Sequence, residues 1–263
     1  MGINRTRVTA VFAALALCLA AAASRAGEPE PKPAAEPAKN LLQNGDFEKA
    51  DASGKYPLGW DRPDGLTTFW AAENAGAGGK KCLKIDTDVL ESEWKDRQEQ
   101  MAKDDPGAAK PKTPVAESQQ YATVGGNHGV SVYSHAIPVK QGQAYKLSLD
   151  IKGPRSTDLF FPKMFVKGFA DVHGEMRVSY RMYLACRLTE DGWMHFERTF
   201  SPTKKTSTVS EMKVMLYCYW PRGTYWIDNV ALSEVAEVKP EDEKPQSTGN
   251  TEGPALDKKG PKK

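Results

Sequence analysis

Tyr145-Lys146-Leu147-Ser148-Leu149-Asp150-Ile151 alternates apolar and polar side chains without a break. An extended backbone sends successive side chains to opposite faces, so Tyr145, Leu147, Leu149 and Ile151 share one side. That period of two predicts a half-buried β-strand. Working outward, the same period recurs in Tyr180-Arg181-Met182-Tyr183-Leu184-Ala185-Cys186-Arg187-Leu188 and in Lys213-Val214-Met215-Leu216-Tyr217-Cys218-Tyr219-Trp220. Turns containing glycine separate the runs, at Lys140-Gln141-Gly142-Gln143, Asp191-Gly192 and Pro221-Arg222-Gly223. Many strands without alternating helices predict an all-β fold, a two-sheet antiparallel jelly-roll β-sandwich.

One stretch departs from the pattern. Residues 89–118 read as a short helical and loop insertion. Leu90, Trp94 and Met101 stand at helix-compatible spacing in a segment rich in Glu, Lys, Gln and Arg that runs to about Asp104. A loop then runs from Asp105-Pro106-Gly107 to Thr113-Pro114. The apolar stripe of the helix is expected to pack on the sandwich.

The ends of the chain differ from its middle. Residues 1–26 read as a secretory signal peptide: Arg5 and Arg7 precede the apolar run Val8 to Ala23, and Ser24-Arg25-Ala26 offers a cleavage site. The run is short for a membrane span, so none is expected. Residues 27–39 are Pro, Glu, Ala and Lys, a disordered linker with nothing to bury. Residues 236–263 read as a disordered, solvated tail ending in Lys258-Lys259-Gly260-Pro261-Lys262-Lys263. Residues 40–235 are left as one domain, and the chain is expected to be secreted, either extracellular or periplasmic. The whole sequence carries a formal charge of +2. The signal contains three arginines and no acid, so its removal would leave −1. No basic field suited to nucleic acid remains.

No residue pattern points to catalysis. Of the four cysteines, Cys18 falls in the signal, and Cys82, Cys186 and Cys218 form no CxxC pair. Cys186 and Cys218 fall on apolar sides of strand-like runs, which favours buried thiols over a bridge. His128, His135, His173 and His195 lie far apart, without metal-ligand spacing. Glu190-Asp191 and Asp86-Thr87-Asp88 sit at a turn and a strand end, where solvated carboxylates are the expectation. The chain is therefore not expected to be an enzyme.

Two motifs bracket residues 40–235. Asn40-Leu41-Leu42-Gln43-Asn44-Gly45-Asp46-Phe47-Glu48 leads to Pro57-Leu58-Gly59-Trp60, and Gly223-Thr224-Tyr225-Trp226-Ile227-Asp228-Asn229-Val230-Ala231-Leu232 closes the region. Between them stand Cys82-Leu83-Lys84-Ile85, Ile137 to Ser148 and Gly192 to Phe200. In this order they resemble the CenC-type carbohydrate-binding modules (families 4, 9 and 22), which are galactose-binding-like β-sandwiches. The resemblance implies first and last strands that pair. It also implies a structural Ca²⁺ where they meet, with Glu48 and Asp228 as carboxylate ligands and Asp46 and Asp150 as further candidates. A hard cation held by carboxylate and carbonyl oxygens is reasonable chemistry there. Without the resemblance, Glu48 and Asp228 read as strand-end carboxylates facing water or a lysine.

The resemblance further implies sugar recognition by aromatic rings and hydrogen-bonding side chains on one sheet. Strand alternation puts Arg181, Tyr183 and Arg187, and likewise Tyr217 and Tyr219, on the side away from the core, with Trp70 and Tyr133 expected to join them. Trp60, Trp193 and Trp226 occupy positions that the resemblance implies are core. The implied function is non-catalytic binding of a polysaccharide or oligosaccharide, such as a β-glucan or a xylan-like chain. The residues also allow a protein-interaction or structural sandwich facing cell-envelope components. Hydrolysis is a distant third reading, because it needs two converging carboxylates.

Overall fold

The computed structural model describes residues 39–73, 79–103, 109–204 and 208–243. They belong to a compact unit beginning at Pro37. The expected signal, all of the linker but Lys39, and the chain beyond residue 243 lie outside the described residues.

Two antiparallel sheets face each other. The first contains β1 (Thr68–Ala71), β2 (Cys82–Asp86), β10 (Thr224–Val235), β5 (Ala144–Lys152) and β8 (Met194–Phe200), side by side in that order. The second contains β3 (Val130–Tyr133), β9 (Glu211–Cys218), β6 (Lys163–Val172) and β7 (Glu175–Ala185), with β4 (Ile137–Pro138) also paired to β9. The predicted all-β sandwich is the observed architecture.

The core lies between the sheets and follows the alternation. Tyr145, Leu147, Leu149 and Ile151 of β5 are fully buried. They share one cluster with Leu83, Ile85, Tyr225 and Ile227 of the first sheet and with Met164, Val166, Leu184, Val214 and Leu216 of the second. Tyr145 and Tyr180 both stack on Phe200, at 5.8 and 6.2 Å between ring centroids. The three cysteines are buried free thiols. The run expected to continue to Trp220 leaves the ladder after Cys218. A turn follows at Pro221, which has no N–H to donate.

The N-terminal motif does not form a regular strand. Asn44 and Phe47 both have φ of 54°, outside the extended region, so the segment winds through turns. Asn44 ties that turn together: its amide donates to the Lys49 and Leu58 carbonyls, and its Oδ1 accepts from Lys49 N–H. The segment still closes the first sheet as expected. Leu41 N–H donates to Leu232 O at 2.7 Å, and Val230 N–H donates to Gly45 O at 2.8 Å. Asn40 bridges as well, donating to Val230 O and accepting from Leu42 and Leu232 N–H. One edge of β10 thus pairs with β2 through Thr224–Ile227 and with the N-terminal segment further on. An irregularity between Asp228 and Ala231, with Asn229 at φ 51°, marks the change of partner.

The insertion contains a helix, α1 (Glu91–Ala102); a 3-10 turn over Glu117–Ala122 starts at the insertion's expected end, and one short helical turn, α2 (Val124–Asn127), lies beyond it. Trp94 packs against the core cluster, as the stripe predicts. Buried Arg97 fastens the helix, donating from Nε to Asp64 O at 2.6 Å. Asp86, expected to be solvated, is instead buried and paired with Lys112 at 2.7 Å. Residues 239–242, expected to belong to a free tail, are held on β8. Asp242 accepts from the backbone and hydroxyl of Thr199, and Lys239 N–H donates to the same hydroxyl.

A Cβ on Gly45 would stand 1.8 Å from Val230 O, so only glycine allows the N-terminal segment to reach β10. We expect Gly45→Ala to destabilise the fold by roughly 2–4 kcal/mol, the range for overpacking that forces backbone to move. Urea melts of the two proteins check this, and equal midpoints would contradict it.

Candidate aromatic face

The outer face of the second sheet is built from alternate residues of four strands. Met164, Val166, Val214, Leu216, Met182 and Leu184 turn inward, so their neighbours in sequence turn out. Register then aligns them into rows. Tyr133 stands opposite Met215, Met215 opposite Phe165, and Phe165 opposite Tyr183. The next row is Ser131, Tyr217, Lys163 and Ala185, and the row on the other side is Lys213, Lys167 and Arg181. Adjacent strands lie about 4.8 Å apart, so each row presents one side chain at that interval.

The rings touch one another and are tethered. Phe165 lies 5.9 Å from Tyr183 and 6.0 Å from Tyr217, and Tyr217 stacks on Tyr219 at 6.4 Å with 6° between planes. The hydroxyl of Tyr217 donates to His128 O and that of Tyr219 to Gly126 O, so α2 and its C-cap border these two rings. Lys167 Nζ donates to the Tyr133 hydroxyl at 2.6 Å. Beyond the rows, Arg187 lies 4.0 Å above Phe161, and Lys163 lies near both Phe161 and Tyr183. Burial, with the Tyr219 phenol and the Cys218 thiol adding to it, pushes the Tyr217 phenol up to about 12. Burial, with Arg187 second, pulls the Lys163 ammonium below its usual range.

Five of the six residues expected on this face stand on it or at its edge: Tyr133, Arg181, Tyr183, Tyr217 and Tyr219. Trp70 does not. It lies in the other sheet, on β1 opposite inward-facing Leu83, and its indole N–H donates to Phe47 O at 2.7 Å. That register turns its ring toward the edge of the core. Trp226 departs the other way. It is in register with Lys84 and Lys152, so it lies half-buried on the outer face of the first sheet, with Lys152 Nζ 5.5 Å from its ring. Trp60 is core, and Trp193 is half-buried. Phe165, Lys163 and Lys167 went unnoticed in the sequence, although Lys163-Met164-Phe165-Val166-Lys167 alternates as plainly as the runs that were read.

Glu48 and Asp228 both act electrostatically on the Cys82 thiol. Burial first, then Asp228, Glu73 and, more weakly, Glu48, push this thiol up to about 12 against the opposing pull of Lys84. Asp228 is 1% exposed and accepts from Asn229 N–H at 2.7 Å. Glu48 Oε1 accepts the Lys80 and Lys81 amides at 2.6 and 2.9 Å. Among the described residues no group of three or more His, Cys, Asp or Glu side chains is arranged to hold a metal. Two carboxylates supplemented by backbone carbonyls remain a donor set that a hard cation accepts. The other two candidates stand elsewhere. Asp46 is exposed, lining a cleft of about 390 Å³ with Asn40, Asn44, Lys49 and Asn229, none of which belongs to the aromatic face. Asp150 is engaged by His195 Nδ1 at 2.7 Å and by the Asn229 amide at 2.8 Å.

No family model matches the chain, and no curated protein matches it. Solved structures of similar architecture exist. One is the enzymatically active domain of tailspike protein 4 of bacteriophage CBA120, at 9% identity and TM-score 0.43. That match covers 74% of this chain, which spans only 21% of the tailspike chain. A family 16 carbohydrate-binding module is similar at 15% identity and TM-score 0.42, over 73% of this chain and 99% of the module. A cyclase from Fischerella sp. TAU is similar at 14% identity and TM-score 0.44, over 77% of this chain and 100% of the cyclase. Further carbohydrate-binding modules are among the similar structures. At these identities and TM-scores the matches assign no family to the chain.

The state of the thiols is open to test. Cys82, Cys186 and Cys218 are buried, and burial raises all three pKa values. A thiol titrating near 12 carries almost no thiolate at pH 8, and the thiolate is the reactive form. We expect the native protein to leave all three unmodified by a thiol reagent at pH 8, and the urea-unfolded protein to react at each. Peptide mass mapping checks it, and rapid labelling of Cys82 in the native state would contradict its burial.

Proposed function

We propose that the chain is a secreted, non-catalytic carbohydrate-binding protein that lays a polysaccharide or oligosaccharide across the outer face of β3, β9, β6 and β7. The observation that carries this reading is the row Tyr133, Met215, Phe165 and Tyr183, flanked by the Tyr217–Tyr219 stack. Pyranose rings have apolar C–H faces that stack on aromatic rings, and their hydroxyls need donors and acceptors close by. Lys163, Lys167 and Arg181 supply donors beside the rings. The non-catalytic reading is supported by the same rows, none of which contains an Asp or Glu, whereas glycoside hydrolysis ordinarily uses a carboxylate pair flanking the bond. Secretion rests on the apolar N-terminal segment read from the sequence. In this reading Glu48 and Asp228 hold a Ca²⁺ ion. When bound, it would neutralise both carboxylates and tie the N-terminal segment to β10.

A second reading, a protein-interaction surface turned toward cell-envelope components, is favoured by one observation. Exposed Tyr121 stacks on Trp220 at 6.2 Å, exposed Phe160 meets the same indole edge-on, and Leu159 beside it is also exposed. Such a patch suits a partner protein.

Affinity electrophoresis of the full chain in gels containing soluble β-glucan, xylan or other polysaccharides tests the first reading. Tyr183→Ala is expected to weaken retention about tenfold, the equivalent of one stacking contact. Retention on no polysaccharide would leave the interaction reading in its place. For the metal, EDTA is expected to lower Tm by roughly 5–10 °C, as loss of an ion held well above its Kd would. Asp228→Asn is expected to abolish the difference between calcium and EDTA. Identical melts with and without chelator would remove calcium from the account.

A further inference from the structure

We propose that the aromatic face takes an acidic glycan, a polysaccharide bearing carboxylates, in preference to a neutral one. This rests on reading the face as a glycan site, and it names the ligand class of that site.

The first argument is the cost of the cations. Register puts Lys213 directly opposite Lys167, and Lys167 directly opposite Arg181. Like charges opposed across strands destabilise a sheet, and sheets ordinarily set opposite signs against each other. Lys163 and Arg187 extend the same face, which therefore gathers five cations. None of the five forms an ion pair with a carboxylate among the described residues. The ammonium of Lys167 turns to the Tyr133 phenol, and the guanidinium of Arg187 donates to the Asp158 carbonyl. The only acid of β9 is Glu211, opposite Phe169 and Pro138 and outside the three rows. Elsewhere on the molecule cations do have acids, as in Lys112–Asp86, Arg222–Asp88 and Lys146–Glu197. Repulsion left standing across three neighbouring strands is what a site for an anion looks like before the anion arrives.

The second argument is the placement of cations among rings. Lys163 Nζ lies 5.1 Å from the Phe161 ring and 5.6 Å from the Tyr183 ring, and Lys167 Nζ lies 5.0 Å from that of Tyr133. A uronate residue asks for this pair of groups. Its C–H face lies on the aromatic ring, and its carboxylate accepts a charge-assisted hydrogen bond from a cation alongside. The strand spacing of about 4.8 Å is close to the length of one pyranose unit, so a chain crossing the strands from β6 to β7 passes Phe165 and then Tyr183, with Lys163 and Lys167 to either side. Nucleic acid also stacks on rings and neutralises cations, but its affinity comes mainly from many phosphate contacts on a broadly positive molecule. This chain is close to neutral overall, +2 with the N-terminal signal and −1 without it.

The test uses the full chain and calorimetric titration with polygalacturonate, alginate and glucuronoxylan, each beside its carboxyl-reduced counterpart. At least one acidic polymer is expected to bind about tenfold or more tightly than its reduced form, the effect of one charge-assisted hydrogen bond. Its affinity is expected to fall as salt rises from 50 to 200 mM. Lys213→Gln with Arg181→Gln is expected to bring affinity for the acidic polymer down to that for the reduced one, and to raise Tm, because like charges no longer oppose Lys167. Should the double variant fail to fold, the wild-type comparison of acidic and reduced polymers still decides. Equal affinity for acidic and reduced polymers would overturn the inference and leave the glycan reading standing. Binding of no polymer, acidic or neutral, would overturn both. Displacement of the acidic polymer by double-stranded DNA at equal charge concentration would also overturn it, because the face would then be a general polyanion surface.

Discussion

The fold depends on a closure made where side chains have almost no room. β10 lies inside the first sheet, and from Val230 on its outer edge is satisfied only by a segment nearly two hundred residues earlier in the chain. That segment is not a strand. It reaches β10 through Leu41, Gly45 and both ends of the Asn40 amide, with the Gly45 backbone against the Val230 carbonyl. Backbone groups left without partners at a buried edge cost about as much as a lost hydrogen bond each. The Asn40 amide avoids several such losses at once. Closing the edge also fixes β10 beside β5, and β5 carries a fully buried row of the core. The second sheet packs on that row, so its outer face inherits its shape from contacts made far from it.

The aromatic face is a consequence of the same alternation that builds the core. Once Met164, Val166, Val214 and Leu216 are committed inward, Lys163, Phe165, Lys167, Lys213 and Tyr217 have no choice but to stand outward. Composition then decides what the outer side offers. An outer sheet face with no task is usually a mixture of short polar groups and paired charges. This one alternates rings with unpaired cations in three successive rows, and no acid interrupts them. The departure from ordinary surface chemistry, more than any concavity, sets it apart from the outer face of the first sheet, where Lys84, Lys146 and Asp150 are paired with Glu73, Glu197 and His195.

Strand identity and facing were legible in the sequence because period two is a local property. The β5 row, the inward Val214, Leu216 and Cys218, and the outward Arg181 and Tyr183 follow from neighbours alone. Sheet membership was not legible. Whether Trp70 shares a face with Tyr183 depends on which strands pair, and pairing is decided by contacts between distant residues. The same limit misplaced Trp226, since an irregularity at Asp228–Ala231 and two lysines in register are invisible from its immediate sequence. The N-terminal motif is expected to be a strand because the resemblance implies first and last strands that pair. Positive φ at Asn44 and Phe47 makes it a knot of turns instead, and asparagine is the one local hint of that conformation. The docking of Asp242 on Thr199 was hidden by composition, because a charged, Pro-containing stretch gives no sign that one carboxylate will find a backbone amide.

The way the rings are held bears on what the proposed glycan face would gain by binding. A ligand must offset the freedom lost by every side chain it orders. Tyr217, Tyr219 and Tyr133 have already lost most of theirs, since each hydroxyl is engaged by the protein's own chain and the Tyr217 ring leans on Phe165 and on Tyr219. Stacking on such rings costs little further entropy. Arg181 is different: it is exposed, long and rich in rotamers, and it stands at the margin of the tethered rings. A face built in this way takes its affinity from the fixed centre. In that reading its choice among ligands would come from the cations around the rings, which a partner carrying negative charge at the right place would engage. That division explains how aromatic rows of one general kind can serve neutral or acidic chains according to the few side chains around them.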